Sequence, residues 1–124
     1  MQLLDTSAWV EYFLKSEMGR KVKRLLETQA CYTAVISIAE LSQWAVKNSR
    51  DGRQLIRYVA ELSEILPLSG KIAFLAGELN ATRKKKIRKW GMVDSIILAT
   101  AQLYTLRIVT KDKDFGDLPD ADVL

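Results

Sequence analysis

The stretch Met1-Gln2-Leu3-Leu4-Asp5-Thr6-Ser7 decides how the rest of the chain is interpreted. A short apolar run ends there in a carboxylate followed by two hydroxyls. We predict a buried strand over Gln2 to Leu4, because the helix-start signal of Asp5-Thr6-Ser7 comes before any amphipathic periodicity can develop. Asp5 would then lie at the carboxyl end of a strand, where open parallel sheets bind their ligands. The simpler alternative is that Asp5 or Ser7 only caps the following helix.

The length and composition predict one globular domain spanning residues 1–124, because 124 residues with 48% hydrophobic content can bury a sizeable core. No apolar run approaches the roughly 20 residues of a membrane span, and we expect no secretory signal. The only cysteine, Cys31, excludes an internal disulfide and is typical of a reducing compartment. We therefore expect a cytoplasmic protein with no membrane partner.

The sequence contains no histidine. This removes the usual general base at neutral pH and the commonest nitrogen ligand of zinc, so hydrolases built on an imidazole base are excluded. Any hydrolytic chemistry must depend on carboxylates, lysines or tyrosines. Grouped carboxylates without softer ligands suit hard cations such as Mg²⁺ or Mn²⁺.

Hydrophobic patterning predicts single strands alternating with pairs of helices, in the order β-α-α-β-α-α-β-α-α-β, with a doubtful last strand over 120–124. Such alternation is typical of a three-layer α/β/α sandwich around a mainly parallel sheet of four to five strands. In that topology Asp5 and Asp112 follow strands at one edge of the sheet. Glu40 and Asp94 lie in the first turns of helices that start from the same edge, so four acids could share one crevice.

Glu40 also fits a purely structural motif. The segment Ser37-Ile38-Ala39-Glu40 has the form of a capping box, in which Ser37 accepts from a first-turn amide and Glu40 accepts from the amide of Ser37. A capping box would explain Glu40 without a catalytic role, so both interpretations stay open.

The net charge of +4 is concentrated in the basic run Arg83-Lys84-Lys85-Lys86-Ile87-Arg88-Lys89. This run could contact phosphates, or it could be a solvated helix end where cations complement the helix dipole. Trp90, next to the run, could stack on a base. Four other aromatic residues fit either the core or a groove for a partner segment: Trp9, Tyr12, Phe13 and Trp44.

A cluster of four carboxylates is unfavourable without a counter-ion, because like charges a few ångströms apart raise one another's pKa values. Mg²⁺ or Mn²⁺ resolves this conflict, and such an ion can also activate a water and offset charge on the leaving oxygen of a phosphodiester. The hypothesis requires the side chains of Asp5, Glu40 and Asp94 to reach one common ion.

Four motifs in this order resemble those of PIN domains, and among these the VapC-type ribonuclease toxins of prokaryotic toxin–antitoxin pairs. They are Leu3-Leu4-Asp5-Thr6-Ser7, Ser37-Ile38-Ala39-Glu40-Leu41, the segment 94–101 beginning Asp94-Ser95, and the segment 109–115 containing Asp112 and Asp114. The resemblance spans essentially the whole chain. It implies a metal-dependent endoribonuclease that hydrolyses RNA phosphodiester bonds, works as a homodimer and is silenced by a small antitoxin protein.

The resemblance also implies roles for individual residues. Asp5, Glu40 and Asp94 would coordinate Mg²⁺ or Mn²⁺ with Asp112 as the fourth acid, while Asp114 could assist or replace Asp112. Two hydroxyls, those of Thr6 and Thr110, match positions that orient the carboxylates. The candidate RNA contacts come from the basic run and the lysine beside Asp112: Arg83, Lys84, Lys85, Arg88 and Lys111.

Two other functions remain possible at this point. A non-catalytic RNA- or protein-binding module could keep the same fold without turnover, and it would bind RNA independently of metal. An aspartate-nucleophile phosphoryl-transfer enzyme could use Asp5, although the chain lacks a second aspartate two residues later.

Overall fold

A five-stranded parallel sheet organises the computed structural model, which describes residues 1–124. Its spatial order is β3-β2-β1-β4-β5, and every neighbouring pair is parallel. The strands are β1 (Gln2–Leu4), β2 (Cys31–Ala34), β3 (Glu64–Leu66), β4 (Arg107–Thr110) and β5 (Ala121–Val123). The predicted α/β/α fold with a mainly parallel sheet is confirmed, and the doubtful strand near the end of the chain is present as β5.

Six α-helices cover the sheet. They are α1 (Thr6–Leu14), α2 (Glu17–Thr28), α3 (Ile36–Lys47), α4 (Gly52–Leu62), α5 (Gly70–Lys86) and α6 (Met92–Tyr104), followed by a 3₁₀ turn at Lys113–Phe115. None of these helices has the length and apolar content needed to cross a bilayer.

The central strand is buried on both faces, which is why it consists of a short apolar run. Leu3 joins the core formed with α6, where Ile97 and Leu98 are buried. Leu4 points to the opposite face and packs with Trp9 of α1 and residues of α2, α3 and α4. This alternation fixes the register of β1 and therefore the position of Asp5 immediately beyond it.

Helices α3 and α6 both begin without a side-chain N-cap. Helix α6 begins at Met92 because Gly91 is its N-cap and the Asp94 carboxylate accepts a hydrogen bond from the Gly91 amide at 3.0 Å. Helix α3 begins at Ile36 with Val35 already in helical conformation, and no side chain caps it. The capping-box interpretation of Ser37 and Glu40 is therefore wrong.

Candidate active site

Two acids at strand ends lie side by side at the carboxyl edge of the sheet. Asp5 follows β1 and accepts from the Ala8 amide at 2.9 Å, so it also caps α1. Asp112 lies two residues beyond β4 and accepts from the Asp114 amide at 2.9 Å. Because β1 and β4 are parallel neighbours, both acids lie at the same edge. Both interpretations of Asp5, as a cap and as a residue of the crevice, fit its position.

Hydroxyl groups hold the buried Asp5 carboxylate in one orientation. Ser7 Oγ donates to Asp5 Oδ1 at 2.6 Å, and Thr110 Oγ1 donates to Asp5 Oδ2. The same two hydroxyls accept from the amides of Lys111 and Asp112, each at 2.9 Å. They therefore join the β1 end to the β4 end. Thr110 was predicted to orient a carboxylate, whereas Ser7 was considered only as a possible cap of α1; its place directly after Asp5-Thr6 was the available signal for this second role.

Glu40 is bound to α1 rather than to the start of its own helix. Thr6 Oγ1 donates to Glu40 Oε1 at 2.5 Å and lies 3.0 Å from Ser37 Oγ. Thr6 thus contacts one of the predicted acids, and the contact connects the first turn of α1 with α3.

The acids act on one another electrostatically. Burial and, as a smaller contribution, the charge of Asp112 together raise the pKa of Asp5 from 3.8 to about 6, against the hydrogen bonds from Ser7, Thr110 and Ala8. Burial also raises the pKa of Asp94, opposed by the Gly91 amide. The charges of Asp112, Glu40 and Asp114 add to that rise. The five predicted acids therefore share one region of negative potential.

The side chains as positioned do not close on a common ion. No group of three or more acidic, histidine or cysteine side chains lies close enough to hold a metal, so the requirement that Asp5, Glu40 and Asp94 reach one ion is not met in this arrangement. The physical reason is that local donors satisfy each carboxylate: hydroxyls for Asp5 and Glu40, and the Gly91 amide for Asp94. The candidate ligands are carboxylates whose negative charges raise one another's pKa values. Such a group of oxygen ligands fits a hard divalent cation.

The family model of the PIN domain matches residues 3–121 of the chain, which is nearly its full length. The chain belongs to the PIN domain family. The resemblance to PIN domains, and among them to VapC-type toxins, is confirmed. No curated protein sequence matches the chain.

Solved structures agree with this assignment over nearly the full length. A toxin–antitoxin complex from Klebsiella pneumoniae has a TM-score of 0.79 at 27% identity, covering 99% of this chain and 97% of that one. VapBC-1 from nontypeable Haemophilus influenzae has a TM-score of 0.69 at 25% identity, with coverages of 99% and 96%. The sarcin–ricin loop cleaving toxin VapC20 of Mycobacterium tuberculosis has a TM-score of 0.74 at 16% identity, with coverages of 99% and 98%, and shares the fold.

In this PIN domain, the first residue of the basic run is part of the core. The Arg83 side chain is only 8% exposed and donates to both carboxylate oxygens of Asp117, at 3.0 and 3.1 Å, and to the Asp114 carbonyl at 2.8 Å. Its guanidinium lies 4.0 Å from the ring centre of Trp90. Arg83 therefore holds the segment that carries Asp112 and Asp114, and its prediction as an RNA contact is wrong.

Trp90 and Lys84 also have structural partners. Trp90 is fully buried and donates from Nε1 to Ser95 Oγ at 2.7 Å, so the prediction that it stacks on a base is wrong. Lys84 is exposed, but its ammonium donates to the Trp90 carbonyl at 2.8 Å. Of the predicted contacts in the run, Lys85 and Arg88 remain exposed and without such a bond.

Lys111 points towards α1. Its Nζ lies 3.3 Å from Glu11 Oε2, and the Glu11 carboxylate is buried and also accepts from Ser16 Oγ at 2.8 Å. The Lys111 side chain is half exposed, so it can still reach solvent beside the acids.

Of the early aromatic residues, Trp9 lies in the core, whereas Tyr12 and Phe13 line a groove at the surface. Trp9 is fully buried and has Tyr12 and Phe13 within 5.6 and 5.8 Å between ring centres. Tyr12 and Phe13 are partly exposed and, with Tyr58 of α4, line a groove of about 670 Å³. The remaining lining residues include three cations, Lys15, Arg20 and Lys23.

Proposed function

We propose that this PIN domain is a metal-dependent endoribonuclease that hydrolyses RNA phosphodiester bonds, and that it is the toxin of a toxin–antitoxin pair. PIN-family membership supports nuclease activity in general terms. The observation that carries the finer proposal is the set of acids at the carboxyl edge of β1 and β4, where the charges of Asp112, Glu40 and Asp114 all raise the pKa of Asp94.

Asp5, Glu40, Asp94 and Asp112 would hold Mg²⁺ or Mn²⁺, with Asp114 as a further ligand or a replacement for Asp112. Such an ion, when bound, supplies a Lewis acid and a water activated at neutral pH. To hold it, the carboxylates must turn from their local partners towards a common point, because no three of them are within reach of one ion as positioned. The hydroxyls of Thr6 and Thr110 would orient Glu40 and Asp5.

The RNA contacts would come from the exposed cations of the basic run and from Lys111, which lies next to Asp112 in the chain. Lys85 and Arg88 are free to contact phosphates, Lys84 is exposed beside them, and Lys111 is half exposed next to Asp112. We keep the expectations of a cytoplasmic homodimer and of a single domain over residues 1–124.

An antitoxin partner is supported by two observations. The similar structure from Klebsiella pneumoniae is a toxin–antitoxin complex. In this chain, the groove between Tyr12, Phe13 and Tyr58 offers aromatic surfaces rimmed by cations. It fits an amphipathic helix that has apolar residues on one side and acidic residues beside them.

A cleavage assay tests the nuclease proposal. Purified protein with millimolar Mn²⁺ or Mg²⁺ is expected to cut single-stranded or structured RNA, and EDTA is expected to stop it. Asp5→Asn and Asp94→Asn should each lower the rate on the order of 100-fold or more, since even residues that only orient metal ligands are worth 10- to 100-fold. Glu61→Gln, at an exposed acid on α4, is the matched control and should cut normally. Cleavage that survives in both aspartate variants contradicts the proposal.

The local hydrogen bonds of the acids favour a second candidate, a non-catalytic RNA- or protein-binding PIN module. The carboxylates already accept hydrogen bonds from Thr6, Ser7, Thr110 and the Gly91 amide, so their side-chain orientations do not depend on a metal. RNA binding that EDTA leaves unchanged, together with no cleavage under any metal condition, would favour this function over the nuclease.

A further inference from the structure

Glu11 on α1 is a buried acid that lies outside the set of acids at the carboxyl edge of the sheet. The residue is 6% exposed, and its carboxylate has two partners. Oε2 lies 3.3 Å from Lys111 Nζ, and Oε1 accepts from Ser16 Oγ at 2.8 Å. Burying a charge is costly even when it is paired, and a buried ion pair is weak evidence for stability. The charge on Glu11 is therefore not explained by the stability of the fold alone.

The contact with Ser16 does not require a charge at position 11. Ser16 is the N-cap of α2 and accepts from the Gly19 amide at 3.0 Å. Its hydroxyl donates to the Glu11 side chain, and a neutral amide oxygen can accept the same bond. Of the two partners of Glu11 only Lys111 is a cation, so the ionised form of Glu11 acts on Lys111.

One face of α1 holds Lys111 at both ends. Ser7 and Glu11 are four residues apart and so lie on the same side of the helix. Ser7 Oγ accepts from the Lys111 amide at 2.9 Å, while Glu11 binds the ammonium at the far end of the side chain. Ser7 also donates to Asp5 Oδ1. Glu11 thus anchors the ammonium one turn of α1 beyond the hydroxyl that contacts Asp5, since four residues rise about 6 Å.

The Lys111 ammonium keeps donors for a ligand. An ammonium has three N–H donors, and Glu11 Oε2 accepts from this one. The Lys111 side chain is 51% exposed, whereas the Glu11 side chain is 9% exposed. The cation therefore faces solvent while the anion is covered, so a phosphate can approach Lys111 without meeting the carboxylate of Glu11.

We propose that Glu11 is a positioning residue for RNA, which fixes the Lys111 ammonium where it binds a phosphate of the substrate. The inference rests on the proposed function for the RNA contact of Lys111 and adds the residue that directs this contact. A lysine side chain loses rotamer freedom when it binds a ligand, and this loss lowers the affinity. Glu11 restricts Lys111 before RNA arrives, so part of that ordering has already taken place in the free protein.

Glu11→Gln separates positioning from simple charge. The variant keeps the shape and an acceptor for Ser16, but its amide does not attract an ammonium. Counting charges predicts tighter RNA binding, because a negative charge is removed from a protein that binds a polyanion. Positioning predicts the opposite, a Kd raised about three- to ten-fold, because Lys111 must then be ordered on binding. Fluorescence anisotropy of a labelled single-stranded RNA in EDTA measures the Kd without cleavage. A Kd equal to that of wild type, or below it, overturns the positioning role.

A double-mutant cycle tests whether Glu11 acts through Lys111. Lys111→Gln removes the cation and leaves a donor for Glu11, so the buried carboxylate keeps a partner. It should weaken RNA binding and reduce the slope of log affinity against log salt by about 1. Adding Glu11→Gln to this variant should change the Kd by less than about two-fold, because two residues that act as a unit are not additive. A loss as large in the Lys111→Gln background as in wild type overturns the positioning role.

Two controls separate this role from stability. Glu61→Gln makes the same charge change at an exposed acid of α4 and should not weaken RNA binding. Ser16→Ala removes the other partner of Glu11 and the cap of α2, so it should lower the melting temperature without changing the Kd of the folded protein. Circular dichroism melting establishes that each variant is folded at the assay temperature. Binding that is as weak in Ser16→Ala as in Glu11→Gln overturns the positioning role, because loosening of this region would then explain both.

RNA cleavage with Mn²⁺ is measured on the same samples. Protein that binds RNA through Glu11 and Lys111 but cuts none supports the positioning role and counts against the nuclease. Cleavage together with an RNA affinity that neither Glu11→Gln nor Lys111→Gln changes supports the nuclease and overturns the positioning role. A wild type that binds no RNA overturns both.

Discussion

Asp5 has both a structural role and a role in the proposed metal site. It caps α1, connects the ends of β1 and β4 through Ser7 and Thr110, and lies buried with a pKa of about 6. An ordinary cap is exposed and ionised at little cost. The burial of Asp5 makes its ionised form unfavourable in the absence of a cation, and this can be measured as stability.

The metal-free protein is expected to lose stability as the pH rises from about 4 to 6. Folding raises the pKa of Asp5 above its value of 3.8, so in this range the folded state binds more protons than the unfolded chain and the free energy of unfolding falls with pH. The shift corresponds to about 3 kcal/mol. Asp5→Asn keeps the shape without the charge and should remove the part of this fall that Asp5 causes, while Asp94, whose pKa is also raised, contributes to the fall in both proteins. Urea unfolding in EDTA at pH 4.5 and 7.5 measures the larger part of the fall that Asp5 causes, about 2 kcal/mol.

Comparing the wild type with Asp5→Asn isolates the contribution of Asp5 to the pH dependence of stability. Asp117 and Asp122 have lowered pKa values because of hydrogen bonds from Arg83 and Arg107, so they contribute with the opposite sign, but equally in wild type and variant. Identical pH slopes in the two proteins would refute the expectation. Millimolar Mg²⁺ at pH 7.5 should stabilise wild type more than Asp5→Asn, because a ligand of the folded state adds stability according to its affinity.

Arg83 is expected to contribute to stability rather than to RNA binding. Arg83→Ala should lower the free energy of unfolding by about 2 kcal/mol, because it removes the donors of Asp117 and the Asp114 carbonyl and uncovers Trp90. Arg83→Lys should recover only part of this, since an ammonium cannot make the paired contact with a carboxylate.

Thermal melting of the Arg83 variants measures the predicted loss of stability. Lys85→Ala, from the exposed part of the basic run, is the control. The control should stay within about 0.5 kcal/mol of wild type. A melting temperature for Arg83→Ala that equals that of Lys85→Ala would mean that the buried contacts of Arg83 contribute nothing.

At the scale of elements, helices α1 and α2 approach each other closely at one glycine. A Cβ on Gly19 would lie 2.1 Å from the Glu11 carbonyl oxygen, a contact that the backbone of α1 cannot relieve. Gly19→Ala should therefore destabilise the fold by about 3 kcal/mol or more. At Gly52 a Cβ would meet only Ala45, at an ordinary 3.5 Å, so Gly52→Ala is the matched control. Chemical unfolding of both variants measures the difference, and equal stabilities would contradict the expected clash.

The sequence predicted the elements well because their signals are local. The end of β1 at Asp5 follows from the short apolar run before it, and the alternation of single strands with pairs of helices follows from hydrophobic periodicity. The structural roles of Ser37 and Arg83 were missed because their partners are distant in the chain: Thr6 lies 31 residues before Ser37, and Asp117 lies 34 residues after Arg83. No local pattern in the sequence contains those contacts.

At the scale of the whole molecule, the strand order explains how far the candidate site could be predicted. Parallel topology alone brings Asp5 and Asp112 to one edge, and this part of the sequence-based expectation agrees with the structure. The side-chain directions of Glu40 and Asp94 depend on which donors lie nearby, Thr6 and the Gly91 amide. Topology does not determine those donors, so the sequence could not predict that the acids would be held apart.

The surface charge of the molecule predicts a salt-dependent interaction with RNA. Replacing Lys85 and Arg88 together by alanine should weaken RNA binding and reduce the slope of log affinity against log salt by about 1 to 2, because each phosphate contact releases counterions. The double variant Arg53→Ala/Arg57→Ala, with the same charge change on exposed positions of α4, is the control. Fluorescence anisotropy with a labelled RNA from 50 to 200 mM salt measures both slopes, and equal slopes would exclude the proposed contacts.

The pairing of β1 with β4 has a consequence for folding during synthesis on the ribosome. Residues 2–4 leave the ribosome about a hundred residues before residues 107–110, yet the central strand needs both β2 and β4 as neighbours. A nascent chain therefore has Asp5 without Asp112, and the sheet closes only after β4 has been translated. The acids cannot gather before β4 and Asp112 have been translated, so the cell's RNA is not exposed to the assembled acidic edge until that point of synthesis.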